Sequence, residues 1–468
     1  MLACAPTTAE SKTGAMKAYR ADHLLGETGW LSPGFVAVAS DGLIAAVGEA
    51  PIAGAERIAG YVVPGMPNLH SHAFHRGLVG WGDRLAPGVA VETLWSWRET
   101  MYRFMRALEP EDLEALAAQA YLDMVRGGFT SVAEFHYVHH QPDGRPYANS
   151  AEMAERIVAA AGAVGIGLTL APVLYASGGI GKPAQEDQRR FLLDLDGYLS
   201  LVEAVRRHGT VAIAPHSLRA VPARLLLALL AAAPEGPVHI HAAERTEEVE
   251  ECRAGLGAPP VEWLLANAGV DQRWTLVHAT HVTDAERAGL ARTGAVAGLC
   301  PLTEANLGDG RFPLRGYHRG GGRFGIGTDA NTLIAVADEL RMLEYGQRLH
   351  HRLRNVVVTP GDEATESPGR VLFDAARRGG AQALAQPVGA IAAGRRADLV
   401  VLDPKAPALL GQTERTALDA WVISGGMAGA SPVRDVMVAG RWVVRDRHHE
   451  AEERIRERFV AVMRRHHS

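Results

Sequence analysis

Between residues 61 and 327 the chain alternates between two patterns, and that alternation limits its possible folds more than any other feature. Short apolar or β-branched runs that end in polar residues occur at 61–69, 129–135, 166–173, 211–215, 238–240, 274–277, 295–300 and 323–327. Between them lie Ala-, Leu-, Glu- and Arg-rich stretches with helical spacing, such as 111–126 and 151–163. Strand-length runs separated by helical periodicity are the pattern of successive βα units. Eight such units close into a (β/α)8 TIM-type barrel, whose chemistry sits at the C-terminal strand ends. We expect this barrel over residues 64–387.

The flanks read differently. Residues 17–58 hold short alternating runs with Gly turns, and 397–403 (ADLVVLD) and 435–444 (DVMVAGRWVV) look alike. Both chain ends, 1–63 and 388–468, are therefore expected to build one small β-sandwich domain. The last stretch, 450–465, has a charged helical pattern and reads as a solvated helix end. With 48 Lys+Arg against 53 Asp+Glu, a net charge of -5 and no long run of one sign, nucleic acid is not an expected partner. Cys4, Cys252 and Cys300 are too few and too scattered for a disulfide framework, which points to a reducing, cytoplasmic setting. No stretch reaches ~18 uninterrupted apolar residues, so no membrane span is expected. The composition before Met16 suggests a loose leader.

Chemistry concentrates at the strand ends. His70 and His72 follow the first run, and residues two apart on a strand share a face, ~6.6 Å apart along it. Two imidazoles so placed can share one metal ion at ~2.0–2.1 Å. His241 ends the fifth run and is followed three residues later by Glu244; His278 ends the sixth, and Asp329 follows the eighth. Imidazole and carboxylate ligands with spare acid/base groups are what an open catalytic zinc site requires. A lone histidine at any of these places would read as a core residue; four strand ends together do not.

At these residues the chain resembles the amidohydrolase superfamily, in its mononuclear aminohydrolase branch. The H-x-H, H-x-x-E, late His and strand-eight Asp carry the likeness, as does the exit segment 388–403 (VGAIAAGRRADLVVLD). Longer strings at 64–76 (PGMPNLHSHAFHR), 133–140 (AEFHYVHH), 214–221 (APHSLRAV), 300–310 (CPLTEANLGDG) and 339–348 (ELRMLEYGQR) are similar to those of the N-formimidoyl-L-glutamate deiminases, the iminohydrolases of histidine degradation. The resemblance implies a metal, with Zn²⁺ the expected ion, held one per chain by His70, His72, His241 and Asp329. It implies proton and water handling by Glu244 and His278, with Asp329 also orienting the nucleophile. It further implies carboxylate binding by Arg98 and Arg219, hydrogen bonds from Tyr137 and His216, and a homodimer.

The substrate so implied is a small dianionic amino acid, and guanidinium groups suit carboxylates because they make planar, bidentate contacts. One departure stands out: after H-S-H-A-F the family has Gln where this chain has His75. A neutral imidazole offers one donor and one acceptor in a different geometry, so His75 bears on substrate preference. The alternative is an aminohydrolase acting on a purine, pyrimidine or other amidine, but a neutral base has no need of two guanidiniums. A non-catalytic scaffold would be expected to have lost ligands or the acid/base residue. His136, His139 and His140 read as one polar loop rather than a second metal site, and His350-His351 and His448-His449 as solvated. The glycines 320–322 read as a turn, Cys300 as packed in strand seven, and Thr303 and Glu304 as residues with an open supporting role.

Overall fold

The computed structural model describes residues 16–85, 94–233, 235–359, 366–425 and 431–467. The expected loose leader and Cys4 lie outside them. The N-terminal side supplies β1 (Lys17–Leu25), β2 (Trp30–Leu31), β3 (Gly34–Val38), β4 (Ile44–Gly48) and β5 (Glu56–Pro64). A second series follows as β6 (Met66–Ser71), β7 (Phe129–His136), β8 (Gly167–Leu174), β9 (Thr210–Val211), β10 (Ala214–Pro215), β11 (Val238–Ala242), β12 (Trp274–His278), β13 (Val296–Leu299) and β14 (Arg323–Ile326). The chain returns with β15 (Leu399–Leu402), β16 (Val433–Val438) and β17 (Arg441–Val444).

Strands β6 to β14 pair in parallel as two arcs, with β9 and β10 sharing the fourth position. Two seams join the arcs. Bridges Ile213–Val238 and Ser217–His241 form one, and Ser71–Asp329 forms the other. Each seam carries a candidate site residue. Gly327 makes the second seam possible, because a Cβ there would lie 2.8–3.0 Å from the backbone and Cβ of His70. The floor of the ring is plugged by the end of the helix Pro368–Leu384. There Thr169 donates to the Leu384 carbonyl, His239 Nε2 meets the Ala383 carbonyl at 2.8 Å, and Leu69, Ala133 and Val296 pack on both residues.

The strands from the two chain ends join in one sheet, in the order β17-β16-β15-β5-β1-β3-β4. The small β domain expected from both chain ends is thus built on one continuous sheet. It curls, because the antiparallel bridge Leu43–Arg396 brings the β4 end back toward the chain entering β15. The curl encloses an apolar cluster that includes Val36, Ile44, Leu399 and Met437.

Residues 61–69, read from sequence as one strand, belong to two. Val63 and Pro64 pair with Val400 and Leu399, whereas Asn68 and Ser71 pair with Val132 and Glu134. The switch falls at Gly65: its N–H goes to the Asp398 carbonyl, and the next N–H, of Met66, to that of Gly128. A side chain at Gly65 would overlap Thr130. Both halves are buried and apolar, so periodicity could not separate them.

The tail corrects another expectation. The helix Glu452–His467 lies on the helix Pro110–Arg126 instead of ending in solvent. Ile455 and Val462 are buried. Asp112 takes both the Arg465 guanidinium and His466 Nε2, while Arg126 pairs with Glu452 and Arg458 with Glu114. His449 is likewise buried, its Nε2 2.9 Å from the Val164 carbonyl, whereas His448 is exposed as expected. Cys300 sits one residue past β13, as the buried N-cap of the helix Pro301–Leu307.

Candidate active site

Four ligand atoms converge where β6, β11 and β14 end. Nε2 of His70 lies 3.2 Å from Nε2 of His72 and 3.1 Å from Nε2 of His241. Asp329 Oδ1 is 3.4 Å from His70 Nε2 and 3.2 Å from His72 Nε2. Tetrahedral ligands at ~2.0–2.1 Å from a zinc ion are about 3.3 Å apart, so these separations match the edges of such a site.

The backbone also fixes which nitrogens are available. His72 Nδ1 faces the Phe135 carbonyl at 2.9 Å and His241 Nδ1 the His216 carbonyl at 3.0 Å. A carbonyl can only accept, so both Nδ1 atoms carry the proton and both Nε2 atoms present lone pairs. Lone pairs converging on a carboxylate oxygen in a buried place call for a cation. Burial holds the three imidazoles neutral, His72 down to about 4, and pushes the Asp329 carboxyl up to about 7; a cation at its side would reverse that rise.

The backbone bends sharply here. Ala243, His278, Ala279, Asp329 and Asn331 all have φ between 42 and 68°. Residues with a side chain enter that region at a cost of ~1–3 kcal/mol each, and such strain gathers at functional sites. Compensating bonds hold the bend: Asn331 Nδ2 donates to Ser71 Oγ and to the carbonyls of His72 and Asp329, and Asp329 N–H donates to the His70 carbonyl.

Beside the quartet stand the acid/base groups. His278 Nε2 is 3.9 Å from both Glu244 Oε1 and Asp329 Oδ2, and its Nδ1 is 3.4 Å from Glu304 Oε1. Burial opposes charge on this imidazole, but the carboxylates of Glu244, Glu304 and Asp329 outweigh it and raise His278 to about 10. Burial would raise Glu244; His278 and Arg219 more than offset it, so the carboxylate stays ionised. Arg219 Nη2 donates to Glu244 Oε2 at 3.1 Å, and its Nε lies 3.8 Å from Glu248 Oε1.

The expected substrate-side residues line the same cavity: His75, Arg98, Tyr137, His216 and Arg219 face it together with His72, His241, Glu244, His278 and Asp329. His70 is fully buried, its Nε2 3.2 Å from that of His72 and 3.1 Å from that of His241. Arg98, on the helix Leu94–Met105, donates to Tyr102 Oη at 2.5 Å and lies 3.5 Å from Tyr175 Oη. His75 Nε2 is 3.0 Å from Tyr137 Oη, and its buried Nδ1 has no partner. The residues expected as ligands, acid/base groups and substrate contacts therefore lie together.

Other contributors escaped the sequence reading. Glu248 backs Arg219, Tyr102 and Tyr175 hold Arg98, and Glu134 accepts the Ala73 N–H beside His72 at 2.7 Å. Glu248 could have been found as the acidic residue four positions past Glu244; the tyrosines carried no such signal. Glu304, left open from sequence, faces His278, and Thr303 Oγ1 bonds the Thr328 carbonyl and the Ala330 N–H.

A parallel barrel with a three-histidine, one-aspartate cluster at its strand ends and a histidine–glutamate pair beside it has the build of a metal-assisted hydrolase. The chain belongs to the amidohydrolase family, whose model matches residues 61–443. It is 49% identical over 456 residues to a formimidoylglutamate deiminase of Pseudomonas aeruginosa, covering 96% of this chain and 99% of that relative. It is 30% identical to a 5-methylthioadenosine/S-adenosylhomocysteine deaminase of Halobacterium salinarum, over 89% of this chain and 90% of the relative. The crystal structure of an amidohydrolase from Brucella melitensis superposes with a TM-score of 0.89 at 42% identity, covering 97% of this chain and 100% of that one. A zinc-bound adenosine deaminase from Xanthomonas campestris shares the fold, with a TM-score of 0.77 at 23% identity over 96% and 98% of the two chains.

Proposed function

We propose that this chain hydrolyses N-formimidoyl-L-glutamate to N-formyl-L-glutamate and ammonia, the deimination step of histidine degradation, with one Zn²⁺ per chain. The observation that carries the reading is the pairing of Arg98 and Arg219 with the His70, His72, His241 and Asp329 quartet in a single cavity. The 49%-identical Pseudomonas relative supports the same substrate.

A divalent ion held by His70, His72, His241 and Asp329 would supply the Lewis acidity that makes water a nucleophile near neutral pH. The chain's own groups do the rest. Glu244, kept ionised, takes a proton from the attacking water and delivers it to the imino nitrogen. His278, protonated and braced by Glu304, donates toward the oxygen that adds to the formimino carbon, and Asp329 Oδ2 faces the same space. The C–N bond of the resulting tetrahedral carbon breaks, ammonia leaves, and the oxygen remains as the formyl carbonyl. Arg219 and Arg98 each take one substrate carboxylate, with Tyr137, His216 and His75 adding hydrogen bonds.

Among the described residues no helix is long and apolar enough to cross a membrane, and Cys252 and Cys300 are free thiols. Both facts support a reducing cytoplasmic setting. The test is ammonia release from N-formimidoyl-L-glutamate by zinc-loaded protein, with Glu244→Gln beside it. Release by the wild type and its loss in the variant are expected. No release from protein holding one metal per chain would refute the substrate, and release from a purine or pyrimidine instead would establish the alternative.

A further inference from the structure

The wall beside the quartet holds a second set of ligand atoms. His278, Cys300 and Asp329 each offer one within 4.8 Å of the other two, and all three residues are buried. Asp329 serves both sets: Oδ1 faces His70 and His72, while Oδ2 lies 3.9 Å from His278 Nε2. That Nε2 has no hydrogen-bond partner, although His278 is only 1% exposed. Cys300 is a free thiol and falls outside the apolar clusters that absorb Cys252. Its surroundings are acidic: Glu304 Oε1 accepts the Cys300 N–H at 3.0 Å and faces His278 Nδ1, and Glu244 Oε1 is 3.9 Å from His278 Nε2.

A thiol, an imidazole and a carboxylate form a donor set that zinc accepts, and softer divalent ions favour its sulfur still more. One carboxylate can bridge two cations ~3.5–4 Å apart, as two-metal sites do. We infer that His278, Cys300 and Asp329 form a second cation site for a thiophilic divalent ion, bridged to the first through Asp329, and that filling it stops hydrolysis. When the ion enters, the Cys300 thiol and the protonated His278 imidazole each give a proton to solvent as sulfur–metal and nitrogen–metal bonds form; nothing is oxidised or reduced. The ion also takes the Nε2 and Oδ2 atoms that the reaction uses, so occupancy and turnover exclude each other. The inhibition rests on the proposed function; the binding does not.

The experiment titrates protein carrying one equivalent of Zn²⁺ with Cd²⁺ and follows bound metal, the ultraviolet thiolate-to-cadmium charge-transfer absorption, and ammonia release. The quartet contains no sulfur, so cadmium exchanged into it gives no such band. With Cys4→Ser and Cys252→Ser combined, Cys300 is the remaining thiol of the three. This variant is expected to bind a second equivalent with the band growing in step, and to lose at least ten-fold in turnover. Adding Cys300→Ser, or Cys300→Ala, should abolish the band, hold the metal at one equivalent and preserve turnover in the same excess of Cd²⁺. Absence of the band while Cys300 is present, or equal inhibition after its replacement, would overturn the inference. Should the zinc form release no ammonia before cadmium is added, the proposed function fails, and the band still decides whether the site exists.

Discussion

Replacing Arg219 with methionine separates what this guanidinium does for the substrate from what it does for the fold. Its Nη2 is committed to Glu244 at 3.1 Å, and its Nε lies near Glu248 at 3.8 Å without a hydrogen bond. The fork thus has donors left to meet a substrate carboxylate. A hydrogen bond to a charged group contributes ~1.5–3 kcal/mol, so losing a bidentate contact removes about 3–6 kcal/mol. That corresponds to a fall of roughly 10²–10⁴ in kcat/KM. The substitution also leaves the carboxylates of Glu244 and Glu248 buried without their cation, and breaking a buried pair costs ~3–5 kcal/mol of stability. Steady-state ammonia release and urea unfolding read the two effects apart. Arg219→Lys keeps the charge without the planar fork, so it should recover most of the stability but little of kcat/KM. If Arg219→Met left kcat/KM within three-fold of wild type, the assignment of Arg219 to a substrate carboxylate would be wrong.

Glu244→Gln should lower kcat by ~10²–10⁴ with one metal still bound, as expected for the loss of a general acid/base; metal analysis beside single-turnover kinetics checks it. His70→Ala should strip the site, since one of its four ligand atoms goes; metal content near one per chain after dialysis against chelator would contradict this. His75→Gln should shift kcat/KM by no more than ~10-fold while keeping the same reaction, because the lost imidazole makes one side-chain hydrogen bond, to Tyr137. Asp112→Ala should cost ~1–3 kcal/mol in urea unfolding, since it frees Arg465 and His466 at once and undoes the capping box at Glu109. An unmoved midpoint would mean that the tail does not dock in solution.

What could be read from the sequence followed from local periodicity. The eight barrel runs and the residues at their ends emerge because strand length and polar termination are local signals, and the ligands sit where those runs stop. The curled sheet was legible as strands but not as one ladder, since the Leu43–Arg396 bridge joins opposite ends of the chain. Tyr102 and Tyr175 were silent because nothing local distinguishes a tyrosine that holds an arginine from one that fills a core. The docking of the tail was hidden for a related reason. Its charges look solvated until the helix that carries Asp112 and Glu114 is laid against them.

The junction at Gly65 also imposes a timetable on synthesis. The strand that delivers His70 and His72 continues directly from β5, yet one edge of β5 waits for β15, nearly the whole barrel later in the chain. Domains emerge from the ribosome N-terminal end first, at ~5–20 residues per second. During most of translation the nascent chain therefore carries an open β edge next to its first two ligands, and such edges invite wrong partners. Asp329 and β15 both arrive late, so a product that stops before residue 329 lacks one of the four ligands as well as the partner of the open edge.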